Sequence, residues 1–430
     1  MRNRIISCML CLLLVLSVVC PATAGSTDKI VIWANADIRV FLDYFVEAYP
    51  EIPIEVIMFP YAGSDYDLTQ RMDALIADTG TRPDIINVEI NNARRWVDLD
   101  DVSVSLYDLG ITEEELSVLT PATVDFMRDS EGRPKGISYQ VTVGGLFYRR
   151  SIAQKYFGVS EPEDFQTLVK DWPTFMETAE KLDVLSRGQV RMLACAEELY
   201  YPFINGTRKQ SWVADGKLVI DDAIKMLMDY TKVFYDKGYT QGFDLYSQEW
   251  YDTIHRDDTL CRLLPPWALA HWLELYCTDE NGASTYGDWG LVSPPDPYIY
   301  GGTWLVCTSK DRQKYENIAT ILRYVMSEEG QRAYEKETGD FISNMKLQEE
   351  LAATSSCDFL GGQNHYEVFR SIAASVNPTL QTGHDGFFRD CFANYAMTSY
   401  ISLGYSMEEA LDSFREQVGL HFNGEIDASD

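Results

Sequence analysis

The chain has 430 residues, of which 46% are apolar and 13% are aromatic, and its formal net charge is −30. This length exceeds what one ordinary hydrophobic core organises and therefore favours two domains. The acidic balance excludes nucleic acid and anionic membrane surfaces as expected partners, because binding to either depends on Lys and Arg side chains that neutralise phosphates.

The first 24 residues have the pattern of a cleaved export signal. Arg2 and Arg4 precede an apolar run over residues 5–19, and small residues end at Ala24. The run is shorter than the roughly 20 residues that a membrane span requires. We expect cleavage after Ala24 and a periplasmic or extracellular protein. Lipid attachment at Cys20 to the outer face of the cell membrane is the alternative, which the bulky valine before that cysteine disfavours.

The next 120 residues or so alternate between strand and helix patterns. Short apolar runs predict strands over residues 29–34, 52–58 and 84–88. Apolar residues at helical spacing predict a helix over residues 38–49, which a proline ends, and a second helix over residues 68–76. This alternation predicts a doubly wound α/β lobe.

Two extended stretches, residues 136–150 and 289–308, carry glycine or proline and could each pass the chain from one lobe to the other. Between and after them the pattern is mainly helical, without a long flexible linker. We therefore predict lobes that are discontinuous in sequence, with break points near Gln140, Gly301 and Asp340. The predicted division is a signal peptide over 1–24, a first lobe over 25–140 plus 301–340, and a helix-rich second lobe over 141–300 plus 341–430.

Signatures of catalysis and of metal binding are missing from the sequence. It contains no HExxH, GxSxG or P-loop motif, and its five histidines never pair at metal-ligand spacing on one helix. Six cysteines follow the export signal, which is too few for a disulfide scaffold, so we expect mainly free thiols, with one bridge left open. We expect no cofactor and no metal. With 66 acidic residues, a pair of carboxylates suited to glycoside hydrolysis stays open, although nothing selects one.

Several aromatic residues sit at strand ends or beside glycine and proline, where loops rim a crevice. Trp33 is followed by Asn35 and Asp37 at the end of the first strand, where open α/β sheets bind ligands. Trp267 follows two prolines, and Trp304 follows two glycines. Core packing is the more common role for any single aromatic residue. Flat rings beside amides and carboxylates nevertheless suit a sugar, because a ring stacks on the sugar face while polar groups bond its hydroxyls.

The order of several motifs resembles a known family, the extracellular solute-binding proteins of bacterial ABC sugar importers, which includes maltose-binding protein. The resemblance spans most of residues 29–419. The segments that carry it are KIVIWANAD, RPDIINVE, GRPKGISYQVTVGGLFYRRSIAQKYFG, LLPPWALAHW and WGLVSPPDPYIYGGTWLVC. It implies a periplasmic-binding-protein fold, with two discontinuous α/β lobes joined by a multi-strand hinge and a ligand held between them.

The resemblance also implies a set of ligand-binding residues from both lobes. They are Trp33, Asn35 and Asp37 at the first strand, Glu89 and Asn91 after the third strand, Tyr139 at the first crossover, Tyr201 and Trp267 in the second lobe, and Trp304 near the hinge. We add Tyr61 as a further aromatic candidate, and Trp272 belongs to the same aromatic group. Thr142 takes the place of an acidic contact in the maltose binder, so the type of sugar stays open.

These observations predict a binding protein that captures a carbohydrate, expected to be an oligosaccharide, for an ABC importer. Ligand would favour the closed form because only there do both lobes touch it, and the closed form would then dock on a membrane permease. We expect a monomer. Two alternatives stay open: a secreted glycoside hydrolase, and a binder of the same fold for a peptide, polyamine or metal. A sensor role is not separated from transport.

Overall fold

The computed structural model describes residues 29–59, 73, 82–97, 99, 102–377 and 380–429. The strands in this part of the chain are Ile30–Ala34 (β1), Ile54–Met58 (β2), Ile85–Glu89 (β3), Gly136–Ile137 (β4), Gly145–Arg149 (β5), Val213–Ala214 (β6), Lys217–Leu218 (β7), Cys261–Leu264 (β8), Trp289–Val292 (β9) and Thr303–Cys307 (β10). Each of the three strands predicted from apolar runs is found within two residues of its expected start. The helix predicted over residues 68–76 falls, apart from residue 73, outside the described residues.

Helices account for most of the remaining ordered chain. The α-helices are Arg39–Ala48, Ile90–Val97, Glu113–Leu116, Pro121–Asp125, Arg150–Phe157, Pro162–Gln166, Trp172–Ser186, Tyr200–Pro202, Asp222–Lys237, Gln248–Asp252, Glu274–Tyr276, Tyr315–Met326, Glu328–Thr338, Met345–Thr354, His365–Ala373, Asp385–Cys391, Thr398–Ile401 and Met407–His421. Short 3₁₀ segments span Ala196–Leu199, Arg312–Lys314 and Asp358–Leu360, and π-helical turns span Phe203–Thr207, Leu269–Leu273 and Phe392–Met397.

The first sheet has the order β2-β1-β3-β10-β4. Strand β1 runs parallel to β2 and β3, whereas β10 runs antiparallel to β3 and β4. Strand β10 is buried along its whole length, and Phe41 and Phe45 of the helix Arg39–Ala48 pack into the same core. The sheet is therefore mixed, with two parallel and two antiparallel pairings, and its buried strands β1, β3 and β10 read as nearly continuous apolar runs.

A second sheet, with the order β8-β5-β9, is antiparallel throughout and has its own core. Leu146, Leu263 and Val292 from its three strands pack together with helices from the second half of the chain. The first sheet takes β1 to β4 and then β10, while the second takes β5, β8 and β9. The chain therefore forms two α/β lobes that are interleaved in sequence, which confirms the predicted fold class.

Three passages of the chain between the two sheets lie side by side. The amide of Val141 donates to the carbonyl of Phe341 at 2.8 Å, and the amide of Gly144 donates to the carbonyl of Tyr298 at 2.9 Å. A Cβ atom at Gly144 would lie 1.8 Å from the ring of Tyr298, so only glycine permits this approach. The three passages are thus fastened to one another by backbone hydrogen bonds where the lobes join.

A buried ion pair organises the second lobe. Arg262 on β8 donates to Glu198 across 2.9 Å, and neither side chain is more than 1% exposed. The same carboxylate accepts from the indole nitrogen of Trp250 at 2.9 Å and from the amide of Leu263 at 3.1 Å. Arg262 also donates to the backbone carbonyl of Trp250 at 3.2 Å. One carboxylate therefore ties a 3₁₀ turn, a strand and a helix together.

Removing the Glu198 carboxylate tests how much it contributes to the stability of the fold. Glu198→Ala leaves the Arg262 guanidinium buried without its counter-charge, and we expect a loss of about 3–5 kcal/mol in the free energy of unfolding. Glu328→Ala is the matched control, because it removes the carboxylate of an exposed pair with Lys346 and is expected to cost below about 1 kcal/mol. Denaturant unfolding of both variants measures the difference, and equal losses would contradict the prediction.

Candidate functional site

The carboxyl edge of the first sheet carries polar groups at the point where the lobes meet. Strands β1 and β3 run parallel and end at this edge, and β10 begins there because it runs antiparallel to β3. Asn35 follows β1, and Glu89 ends β3 opposite Thr303. Ligands of open α/β sheets bind outside such an edge.

Asn35 is held in an unusual state for an amide. Both of its side-chain polar atoms are shielded from solvent, and neither has a hydrogen-bond partner within the described part of the chain. A buried polar group without a partner costs roughly 1–3 kcal/mol. Such a group at this edge of the sheet indicates a position where a bound molecule would supply the missing bonds.

The other polar candidates at the edge are already engaged. Asp37 forms a two-pronged ion pair with Arg39, at 2.7 and 2.6 Å, and both side chains are about half exposed. The Arg39 guanidinium holds the pKa of this carboxyl below its usual range. Glu89 is half-buried, and Asn91 lies in the first turn of the helix Ile90–Val97. A Cβ atom at Gly386 would lie 3.0 Å from the Asn91 carbonyl, so the two lobes touch there.

Three of the aromatic candidates lie in the core beneath the edge. Trp33, Tyr139 and Trp304 are each no more than 6% exposed. The ring of Trp304 stacks on Phe126 at a centroid distance of 4.5 Å, and its indole nitrogen donates to a backbone carbonyl at 2.9 Å. Tyr139 packs against Tyr334 at 4.9 Å, and burial raises the pKa of its hydroxyl. These contacts fit a supporting role under the carboxyl edge.

Five other rings form a connected surface in the second lobe, which we name the aromatic platform: Tyr201, Tyr246, Trp267, Trp272 and Tyr300. The ring centroids lie 4.5 Å apart for Tyr201 and Tyr300, 6.1 Å for Tyr300 and Trp267, 4.5 Å for Trp267 and Trp272, and 5.3 Å for Trp272 and Tyr246. The hydroxyls of Tyr246 and Tyr300 form a hydrogen bond at 2.7 Å, so the five rings form a closed ring of contacts. Tyr246 is 44% exposed, Tyr201, Trp267 and Trp272 are half-buried, and Tyr300 is buried.

Buried groups hold the platform from below. Trp250, which Glu198 anchors, contacts Tyr246 at 5.8 Å and Trp272 at 5.5 Å between ring centroids. Tyr246 has a left-handed backbone with a φ of +66°, a conformation that side chains other than glycine rarely adopt. The preceding amide, that of Leu245, donates to Glu197 at 2.8 Å and fixes this loop. These contacts hold the platform rings in place without a ligand.

The platform adjoins the carboxyl edge of the first sheet through the second chain passage. Tyr300 lies three residues before β10, and its amide donates to the carbonyl of Thr142 at 2.9 Å. The neighbouring Ile299 packs in one cluster with Trp33 and Trp304 of the first lobe. Its carbonyl accepts from the amide of Asn205 at 2.8 Å. The second lobe thus provides the platform rings and the first lobe provides the unpartnered amide of Asn35. Both lie next to the passages that join the lobes.

Of the ten residues predicted from sequence, Tyr201 and Trp267 come together through Tyr300, whereas Tyr61 lies outside the described residues. Sequence reasoning missed Tyr246 and Tyr300. The place of Tyr300 directly before two glycines of a predicted crossover could have identified it. Tyr246 gave no such signal, because it lies in a polar loop and meets Tyr300 across 54 positions.

Other kinds of site find little support among the described residues. No group of three or more His, Cys, Asp or Glu side chains there is arranged to hold a metal ion. The six cysteines after the export signal are free thiols, five of them buried. No described helix is long and apolar enough to cross a membrane.

Known proteins resemble this chain at the level of family and fold. Residues 43–356 match the model of the family described as bacterial extracellular solute-binding protein. No curated protein matches significantly. A solved structure of an extracellular solute-binding protein of family 1 superposes with a TM-score of 0.77 at 17% identity, covering 92% of this chain and 99% of that one.

Two other solved structures share the fold at similarly low identity. An ABC-transporter-associated binding protein from B. animalis subsp. lactis Bl-04, in complex with β-1,6-galactobiose, has a TM-score of 0.69 and 15% identity, with 94% of this chain and 99% of that chain covered. The sugar-binding protein MalE from Xanthomonas citri has a TM-score of 0.70 and 15% identity, with 91% and 96% covered. Because the family model matches well over half of its length, the chain belongs to the bacterial extracellular solute-binding protein family.

Proposed function

We propose that the protein captures a carbohydrate, of oligosaccharide size, outside the cytoplasm for an ABC importer. The observation that carries the proposal is the aromatic platform, whose exposed ring faces adjoin an edge with an unpartnered amide. Sugar complexes among proteins of the same fold support it. We propose binding without chemical conversion, since the family consists of solute-binding proteins.

The chemistry of the platform suits a sugar better than the other ligands left open by the sequence. A pyranose presents C–H groups on its faces and hydroxyls at its edges, so rings such as Trp267 and Tyr201 stack on the faces. The Asn35 amide donates and accepts at once, as a sugar hydroxyl does. The proposed ligand set is Asn35 with Tyr201, Tyr246, Trp267 and Trp272, while the buried Tyr300 holds these rings together. Asp37, Glu89 and Asn91 stay candidates at the edge, and Trp33, Tyr139 and Trp304 are proposed as supports beneath it.

Closure of the two lobes is the proposed mechanism. The lobes comprise residues 25–140 with 301–340 and residues 141–300 with 341–430, and they rotate about the three passages. Opening must break the contact between Asn91 of the first lobe and Gly386 of the second. A ligand that touches both lobes favours the closed form by its differential affinity for the two forms. A fall in the radius of gyration on ligand binding measures this closure.

Delivery to a membrane permease completes the proposal. The outer faces of both lobes of a closed monomer would contact the permease. Cleavage after Ala24 would release the mature chain from the membrane, and lipid attachment at Cys20 is the alternative. The N-terminal residue of the exported protein distinguishes the two: Gly25 supports plain cleavage, whereas a modified Cys20 supports the lipid anchor.

A thermal-shift panel tests the ligand class directly. The mature protein is heated with mono- and oligosaccharides and, in parallel, with peptides, polyamines and metal ions. A ligand that binds only the native state raises the melting temperature, so one class of oligosaccharide is expected to raise it while the other solutes do not. The sugar must be recovered unchanged. Cleaved sugar would move the assignment to a glycoside hydrolase, and a shift with a non-sugar solute would move it to another binder of the same fold.

Truncating the central ring of the platform tests the stacking role. Trp267→Ala is expected to weaken sugar binding by about 1–3 kcal/mol, the range of aromatic anchors, which corresponds to roughly 5- to 150-fold in Kd. Tyr235→Ala is the control, because this ring is 55% exposed on the helix Asp222–Lys237, outside the platform. Titration calorimetry compares the two. An unchanged Kd for Trp267→Ala with a lowered melting temperature would identify a purely structural tryptophan.

Removing the unpartnered amide of Asn35 is expected to lower sugar affinity without lowering stability. Asn35→Ala removes a buried group that lacks partners in the free protein, so stability without ligand should not fall, while sugar affinity should drop by about 0.5–1.5 kcal/mol. Asn364→Ala serves as the control. That amide caps the helix His365–Ala373, so its loss should lower stability by about 1 kcal/mol and leave affinity unchanged. A stability loss without an affinity change at Asn35 would refute its assignment to the ligand.

A further inference from the structure

Two glycines of the second lobe meet the first lobe backbone to backbone. A Cβ atom at Gly386 would lie 3.0 Å from the carbonyl oxygen of Asn91, and a Cβ atom at Gly383 would lie 3.0 Å from the Cα atom of Arg95. At each glycine, the three atoms nearest to this Cβ position all belong to the first-lobe residue. Side chains at these positions would therefore point at the first lobe. We name this pair of approaches the glycine contact.

The two sides of the glycine contact match in spacing. Asn91 and Arg95 are four residues apart on one helix, so they share a face and lie about 6 Å apart along its axis. Gly386 lies in the first turn of the helix Asp385–Cys391, and Gly383 precedes that helix by two residues. Non-bonded carbon atoms pack best at about 3.5–4.0 Å, so a methyl group at Gly383 would require the lobes to separate by about 0.5 Å.

The backbone conformation does not require glycine at either position. A glycine is needed where the backbone is left-handed or where there is no space for a side chain. Gly383 and Gly386 are not among the glycines with a left-handed backbone. Gly386 is helical, and glycine is less favourable than alanine in a helix. Close approach of the first lobe is therefore the reason that the structure gives for both glycines.

The second lobe holds the glycine segment by bonds of its own. Asp385 accepts from the backbone amide of Thr382 at 2.7 Å and from the hydroxyl of Thr382 at 2.8 Å. Its other carboxyl oxygen accepts from Arg208 at 3.1 Å, and neither charged side chain is more than 7% exposed. The Arg208 guanidinium also lies 5.1 Å from the ring of Trp212, a core residue of the second lobe. These bonds do not involve the first lobe.

Both sides of the glycine contact are bonded to the second chain passage. In the first lobe, the amide of Ile90 donates to the carbonyl of Gly302 at 3.0 Å. In the second lobe, Gln381 donates to Asn205 at 3.0 Å, and Asn205 donates to the carbonyl of Ile299 at 2.8 Å. The contact therefore lies close to the hinge. Displacement in a rotation grows with distance from the axis, so a small separation here opens more distant parts of the cleft by more.

We propose that Gly383 and Gly386 are positioning residues for lobe closure, and that the absence of side chains at these two positions sets how closely the lobes meet around a ligand. The inference rests on the proposed function, since it requires lobes that open and close. A side chain at either position leaves each lobe intact but holds the two lobes apart. Ligand affinity then falls, because a ligand favours the closed form only through contacts with both lobes.

Replacing Gly386 by larger residues tests the inference. Gly386→Ala and Gly386→Leu retain the helix, because both residues favour a helix more than glycine does. Titration calorimetry with the sugar identified by the thermal-shift panel should give a Kd that rises from wild type to alanine to leucine, by about tenfold for leucine. Gly419→Ala and Gly419→Leu are the matched controls, since Gly419 lies in the helix Met407–His421 with open space at its Cβ position. They should keep the wild-type Kd.

Small-angle scattering shows whether the leucine variant acts by holding the lobes apart. In saturating sugar, Gly386→Leu should have a larger radius of gyration than the wild type, whereas the ligand-free proteins should have equal values. An unchanged Kd and an unchanged radius of gyration in Gly386→Leu would overturn the inference. If Gly386→Leu melts at a lower temperature than Gly419→Leu without ligand, or does not fold, the decision passes to a cysteine pair.

The cysteine pair combines Asn91→Cys with Gly386→Cys. The Cβ position at Gly386 lies 4.0 Å from the Cβ atom of Asn91, within the range of about 3.5–4.5 Å that a disulfide spans. An added oxidant such as diamide should therefore join the pair, and faster with sugar than without it, because sugar favours the closed form. Protein that is loaded with sugar and then oxidised should release the sugar only after reduction. Cross-linking is the readout because Asn91 is itself a candidate at the ligand edge.

Single-cysteine variants are the controls for the pair. The native cysteines after the export signal are free thiols, five of them buried, so neither Asn91→Cys nor Gly386→Cys alone should give the sugar-dependent cross-link. A cross-link of the same yield in a single variant would mean that a native thiol takes part, and would overturn the assignment of the cross-link to the glycine contact.

The outcomes for the cysteine pair separate the inference from the proposed function. If no sugar binds, the proposed function fails, but scattering still decides the inference. A smaller radius of gyration for the oxidised pair than for the reduced pair supports the inference, and equal values overturn it. If sugar binds, cross-linking that sugar slows or leaves unchanged overturns the inference, because the contact would then not belong to the ligand-bound form. A pair that does not oxidise also overturns it.

Discussion

The three side-by-side passages between the sheets are the constraint on which the rest of the structure depends. Each passage must leave one core, satisfy its backbone groups away from solvent, and enter the other core. The passages achieve this by bonding to each other, as Val141 does to Phe341 and Gly144 to Tyr298. The same arrangement brings Tyr300 beside the start of β10 and so joins the aromatic platform to the edge of the first sheet.

The platform depends in turn on a buried charge pair that contributes orientation more than stability. A buried pair often stabilises no more than apolar residues of the same volume would. Glu198, however, bonds Arg262, Trp250 and Leu263 at once, and Trp250 supports the rings of Tyr246 and Trp272. Rings fixed from below keep their outer faces available, and a rigid surface loses little entropy when it binds.

The sequence predicted the architecture better than the site. Apolar runs identified β1, β2 and β3, and glycine and proline marked two passages, because both signals are local. Local signals do not distinguish Trp304, which stacks on Phe126 in the core, from Trp267, which stays half-buried on the platform. That difference depends on partners distant in sequence. The unpartnered state of Asn35 is likewise a property of its surroundings, which no spacing in the chain encodes.

Asn35 is a buried polar group whose missing partners can arrive from outside. Its amide lacks the hydrogen-bond partners that a ligand would provide. Burial of such a group lowers stability, whereas the amide of Asn364 is satisfied internally by four backbone groups. Asn35 directly follows β1, at the carboxyl edge of the first sheet. A ligand that bonds this amide would recover the energy that its burial costs.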